Sequence, residues 1–214
     1  VAEYARLGDF ERAYRLMASH EDLRRPPSGG ALWAWRASYP LAFESAVRES
    51  ARGAGLEPAL VWAVMRQESA FDPVVVSVSD AIGLMQMLPA TGTRTAAGLG
   101  VAFAREDLFL PAANIRLGTA YLDALVEEFG APLAFAAYNA GEHRVRQWLI
   151  GRECEDLDRF VDTIPFEQTR NYTRRVAGNV ARYAALETGG AGWPTVALTA
   201  PAGGARCTAS GDSR

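Results

Sequence analysis

Apolar residues recur three and four positions apart in one stretch of this chain after another, and each stretch is stopped by glycine or proline. That period belongs to helices, so the sequence predicts a mainly α chain in which β structure is at most a minor loop. Residues 1–20 set Leu7, Phe10, Tyr14 and Met17 on one face before a break at Pro26, Pro27, Gly29 and Gly30. A second helix is expected over 39–52, stopped by Gly53 and Gly55, and a third from Pro58, which suits a first helical turn, to about residue 70. Asp72 and Pro73 break that helix, and 74–87 lacks helical period, so it reads as a partly extended, structured loop. Further helices are expected over 89–97, 111–129, 132–139, 142–150 and 166–186, the last with Tyr172, Val176, Val180 and Tyr183 on one side. The 39 alanines favour the same outcome, since alanine is the best helix former, although a composition bias accounts for them equally well.

Three regions follow from this pass. Residues 1–38 form an N-terminal helical extension, too short to bury its apolar face alone, that packs on the main domain or ends a longer helical array. Residues 39–187 form the main domain. From 188 to 214 periodicity disappears while Gly, Ala, Pro and Thr accumulate, which predicts a flexible tail.

Several kinds of chemistry are removed by residue content. All 22 basic side chains are arginine, so Schiff bases, lysine nucleophiles and the lysine of a phosphate-binding loop are excluded. A net charge of −3 argues against nucleic acid as a partner. No apolar run approaches the ~18 residues of a membrane span. Cys154 and Cys207 can make one optional disulfide at most, and His20 and His143 stand alone, so neither a metal site nor a cofactor is expected. With no initiating Met and no basic-then-apolar leader, the chain reads as a mature product or as part of something longer.

Within 58–70 the apolar rows Leu60–Val64 and Val61–Met65, continued by one turn, both arrive at Glu68. A carboxylate at the end of a buried face loses hydration, which raises its pKa toward the range of a general acid. The alternative is that Glu68 is only the polar last turn of a helix, answered by Arg66 or by solvent. Spacing alone leaves both open.

The surrounding text narrows the choice. Glu68, Ser69, Ala70, Phe71, Asp72 and Pro73 are followed by Ser77. Next come Gly83, Leu84, Met85, Gln86, Met87, Leu88 and Pro89, and then Ala137, Tyr138, Asn139, Ala140 and Gly141. Ile164, Pro165, Phe166, Thr169, Arg170 and Tyr172 close the series. In this order they closely resemble the catalytic domain of the soluble lytic transglycosylases, bacterial enzymes that cleave peptidoglycan and share a fold with goose-type lysozyme.

That resemblance implies an all-α, lysozyme-like domain with a groove for glycan strands. It implies non-hydrolytic cleavage of the β-1,4 bond between N-acetylmuramic acid and N-acetylglucosamine, leaving a 1,6-anhydro sugar. Glu68 would be the catalytic acid and then base, and Ser77 would lie near it and the substrate's acetamido group. Gly83 would admit a close ligand, Met85 would offer an apolar wall, and Gln86, Tyr138, Asn139, Gln168 and Tyr172 would hold sugar or backbone. Substrate location implies a bacterial periplasm or envelope, with other cell-wall enzymes as partners.

Three positions depart from the family's pattern. Gln168 stands where a Glu before Thr-Arg is usual, with Glu167 displaced by one residue and hence by about 100° on a helix. Asp80 replaces a small residue and Leu88 a frequent Met. Two rival readings follow: a muramidase of the same fold using water and a second carboxylate such as Asp80, and a catalytically silent peptidoglycan-binding module.

Overall fold

A computed structural model of the chain describes residues 2–17, 19–25, 28–152 and 155–187. The expected tail at 188–214 and both cysteines lie outside the described residues. Among those described there are eleven α-helices and no sheet, as the helical period requires. None of these helices is long and apolar enough to cross a membrane.

The chain divides into two compact units, one built from residues up to Tyr121 together with 178–187, the other from 122–177. In the first, α1 (Ala2–Arg6) and α2 (Phe10–Met17) replace the single helix expected over 1–20. The chain turns at Gly8, where φ is +79°, and Leu7 is thereby left exposed while Met17 is buried. A helix that the periodicity missed, α3 (Leu32–Ser38), comes next. The second expected helix starts late, as α4 (Glu44–Ala54), because Phe43 before it takes a left-handed φ of +51°.

The helix α5 (Pro58–Glu68) has Pro58 in its first turn, as expected, and every residue from Ala59 to Met65 is buried. A helix enclosed on all sides is the centre of its unit rather than one wall of it. Trp62 fixes its rotation: the indole stacks on Tyr183 at 5.7 Å and its Nε1–H donates to the carbonyl of Ala42 at 2.9 Å. Tyr183 in turn meets Tyr39 edge-on at 5.3 Å and donates its hydroxyl to the carbonyl of Pro40 at 3.2 Å. These contacts bind the end of the last helix, α11 (Glu167–Glu187), to the segment 39–42, with the ion pair of Arg48 and Glu187 at 3.1 Å beside them.

Between these lie α6 (Pro89–Gly98) and α7 (Pro111–Phe129). The second unit is organised around α8 (Ala131–Ala140), in which eight of ten residues are buried, most of them alanine. Small side chains let α9 (Glu142–Leu149) and α10 (Leu157–Asp162) pack closely on it. Helix α8 thus has the part in this unit that α5 has in the first.

Candidate active site

Glu68 closes α5 and is half-buried. The chain leaves the helix abruptly after it: Ser69 caps the end, and Ala70 and Phe71 both take left-handed φ, +52° and +70°. Two successive left-handed residues other than glycine are costly, and such conformations persist only where surrounding contacts impose them. Here the contacts are visible. The Ser69 hydroxyl donates to the carbonyl of Leu84 at 2.8 Å and accepts the N–H of Phe71 at 3.1 Å, while the Phe71 ring is buried. Asp72 accepts the N–H of Val74 at 2.9 Å, a turn role that occupies its carboxylate locally.

The loop so attached, 74–88, is partly extended, with isolated antiparallel bridges pairing Val76 with Ile82 and Ile82 with Met87. Ser77 organises its tip: its Oγ accepts the N–H groups of Ala81 at 3.0 Å and Ser79 at 3.3 Å. The Gln86 amide donates to the carbonyls of Gly83 and Val75 at 3.1 and 3.2 Å. Both side chains therefore shape the loop that carries them, and both remain half-exposed.

Gly83 and Met85 differ from expectation. A side chain at Gly83, where φ is +74°, would meet the Leu108 carbonyl at 2.5 Å and the Asn114 amide at 2.6 Å, so the close approach that needs glycine is to the protein itself. Met85 is wholly enclosed and presses on Gly118, where any Cβ would lie 2.5 Å from its sulfur. It is a core residue and not an apolar wall open to a ligand.

Asn114, which sequence reasoning did not single out, holds this loop from beneath. Its Oδ1 accepts the Met85 N–H at 2.8 Å, and its Nδ2 donates to the carbonyls of Leu108 and Ile82 at 2.8 and 2.9 Å. The residue is buried, and an amide is the one side chain that can both accept and donate twice there. The only available signal was a polar residue beside Ala112, Ala113 and Ile115 in the first turn of α7.

Asp80 also takes a left-handed φ, +62°, and pairs with Arg105 of the turn Arg105–Phe109. Hydrogen bonds from that guanidinium hold the Asp80 carboxyl below its usual range, so it stays an anion. Among the described residues no cluster of His, Cys, Asp or Glu is placed to hold a metal ion.

The remaining predicted site residues belong to the second unit. Tyr138 and Asn139 occupy the last turn of α8, both half-buried, ahead of Gly141. Asn139 accepts a hydrogen bond from the Thr169 hydroxyl at 2.8 Å, which joins α8 to the first turn of α11. Gln168 beside it is exposed, whereas Tyr172 is buried one turn on. Arg170 donates to the carbonyl of Ile164 at 2.7 Å, and Arg174 pairs with Asp162 at 2.5 Å, so both forks engage the protein itself.

A helical frame of this kind, with a half-buried glutamate ending its central helix, defines a lysozyme-like domain. The family model of the transglycosylase SLT domain matches residues 45–157, and the chain belongs to that family. The soluble lytic murein transglycosylase of Salmonella typhimurium is 39% identical over 151 residues, which are 68% of this chain and 23% of that protein. Membrane-bound lytic murein transglycosylase C of Actinobacillus pleuropneumoniae is 32% identical over 161 residues, 64% of this chain and 44% of that one. Among solved structures, lytic transglycosylase Slt of Pseudomonas aeruginosa, in an inactive mutant with Gln in place of a Glu, aligns with a TM-score of 0.76 at 31% identity. That alignment covers 88% of this chain and 30% of the other. The chain thus spans about a quarter of the length of the soluble curated relative, 23%.

Proposed function

We propose that the chain is a lytic murein transglycosylase that cleaves the β-1,4 bond between N-acetylmuramic acid and N-acetylglucosamine without consuming water, with 39–187 as its catalytic domain. The observation that carries this reading is the position of Glu68, half-buried at the end of an enclosed helix and fixed there by the Ser69 turn. Glu68 first donates its proton to the glycosidic oxygen as the bond to the muramic residue breaks. As carboxylate it then removes the proton of that residue's 6-hydroxyl, whose oxygen closes on the anomeric carbon to give the 1,6-anhydro ring. One group serves both steps because the first creates the base that the second needs. Loss of activity in the P. aeruginosa relative when a Glu becomes Gln supports a mechanism with an indispensable carboxyl group.

Ser77, Gln86, Tyr138, Asn139, Gln168 and Tyr172 are the proposed substrate contacts. Gly83 and Met85 act by shaping the loop. Peptidoglycan as substrate implies work in the periplasm or elsewhere in the envelope, consistent with soluble and membrane-bound relatives.

Hydrolysis by the same residue would need a second carboxylate to activate water or to act as nucleophile. In the first unit Asp80 is tied to Arg105 and Asp72 to its own turn, which disfavours that reading. The test is Glu68→Gln, which should retain binding to purified peptidoglycan and lose turnover. Undiminished turnover would refute the assignment.

A further inference from the structure

None of the proposed site residues lines a pocket of about 230 Å³ in the first unit. Arg66 forms one side of it. Residues two positions apart on a helix are rotated by about 200°, so Arg66 points away from Glu68. Its guanidinium is held between two rings, 3.8 Å from the centre of Tyr39 and 4.3 Å from that of Tyr14, donates to the carbonyl of Ser38, and also meets the Tyr183 hydroxyl. A guanidinium has five N–H donors, so with its plane held by the rings and part of its edge on Ser38 and Tyr183, donors remain for a further partner.

Arg182 of α11 supplies a second guanidinium to the same pocket, and that guanidinium has no hydrogen bond or ion pair among the described residues. Gly178, one turn earlier, makes room for it: a Cβ there would stand 2.8 Å from its Nη1. No carboxylate is found among the lining residues, and on the turn that contributes Leu23, Asp22 is already paired with Arg25 at 3.3 Å. Ser38, on the same wall, is fully buried, and its Oγ has no hydrogen-bond partner among the described residues. Trp35 and Leu23 complete the wall with apolar surface.

Two guanidinium groups without carboxylates, one of them fixed by aromatic rings, define a receptor for an oxyanion. The apolar wall favours a carboxylate that carries a small organic group over a bare inorganic ion. The volume is below the ~300 Å³ at which sites for drug-sized ligands begin. We infer that this pocket binds a small organic carboxylate, of the size of an acylated amino acid, through Arg66 and Arg182. The inference stands apart from the proposed glycan chemistry, since it uses none of the same side chains.

Isothermal titration of the full chain with N-acetylalanine, with inorganic phosphate as a second probe and sodium chloride at matched ionic strength as the reference, tests it. Saturable binding of N-acetylalanine, tighter than that of phosphate, is expected. Arg182→Gln should weaken it by roughly tenfold, the usual loss for a hydrogen bond to a charged group. Arg182→Lys should keep part of the affinity through its charge, and both variants should cleave glycan at the wild-type rate. Absence of saturable binding, equal affinity in Arg182→Gln, or tighter binding of phosphate than of N-acetylalanine would each overturn the inference.

Discussion

The hydroxyl of Ser69 donates to the carbonyl oxygen of Leu84 at 2.8 Å, so the residue that follows Glu68 is fastened to the loop that carries Ser77 and Gln86. Removing that hydroxyl frees both the Leu84 carbonyl and the Phe71 N–H that it satisfies. Ser69→Ala should therefore destabilise the chain by about 1–3 kcal/mol, a fall of several degrees in Tm. Peptidoglycan turnover should fall with it, because the left-handed turn at Ala70 and Phe71 loses its anchor. A thermal melt superimposable on wild type would show that the bond does not hold the turn.

Gly83 and Gly55 separate two effects that a glycine substitution usually mixes. Both take positive φ, +74° and +69°, but a Cβ at Gly55 meets nothing within 4 Å, whereas one at Gly83 strikes Leu108 and Asn114. Gly55→Ala should cost about 1 kcal/mol, the backbone penalty alone. Gly83→Ala adds overpacking against fixed groups, on the order of 2–4 kcal/mol in all. Chemical denaturation that gave equal losses would remove the close approach from the account.

Asn114 makes three hydrogen bonds to the backbone of the loop and of the turn before α7. Asn114→Leu keeps a similar volume and takes the partner from the buried Met85 N–H and the Leu108 carbonyl, while the Ile82 carbonyl keeps the Met87 N–H, so a loss of about 3 kcal/mol is expected. Hydrogen exchange at the Met85 amide should quicken in that variant, and unchanged protection there would contradict the role given to Asn114.

The ion pair of Asp80 and Arg105 sets a pH dependence of known sign. Because the folded-state pKa of Asp80 is depressed, its contribution is present above the ordinary carboxylate range and is lost as pH falls through the folded value. Wild type should thus lose more Tm than Asp80→Asn when the solution is acidified through that range. The pair is exposed, so high salt should erase the difference. Equal acid sensitivity at low salt would mean the pair contributes nothing to folding.

Much of the frame was readable before any coordinates. Helix α5 announces itself through Pro58 and a continuous apolar run, and the irregular loop through Asp72 and Pro73, because these signals act within a few residues of where they occur. The rotation of Trp62 onto Tyr183, the bond from Ser69 to Leu84, and the three bonds of Asn114 join residues distant in sequence, and no local period encodes them. Gly83 and Met85 illustrate the limit well. The sequence marks them as a close approach and an apolar contact, yet what they approach is Asn114 and Gly118, which only the fold identifies. The split of 1–20 into α1 and α2 at Gly8 is the converse case, a periodic row interrupted by a single backbone turn.

The central claim is that Glu68 acts alone as acid and then as base, so that the sugar's own 6-hydroxyl takes the place of water. Mass spectrometry of muropeptides released from purified peptidoglycan by the wild-type chain measures this directly. The account predicts muramic ends lighter by one water than the hydrolytic product and resistant to borohydride reduction, with none released by Glu68→Gln. Reducible muramic ends at full hydrolytic mass would contradict it and make the chain a muramidase.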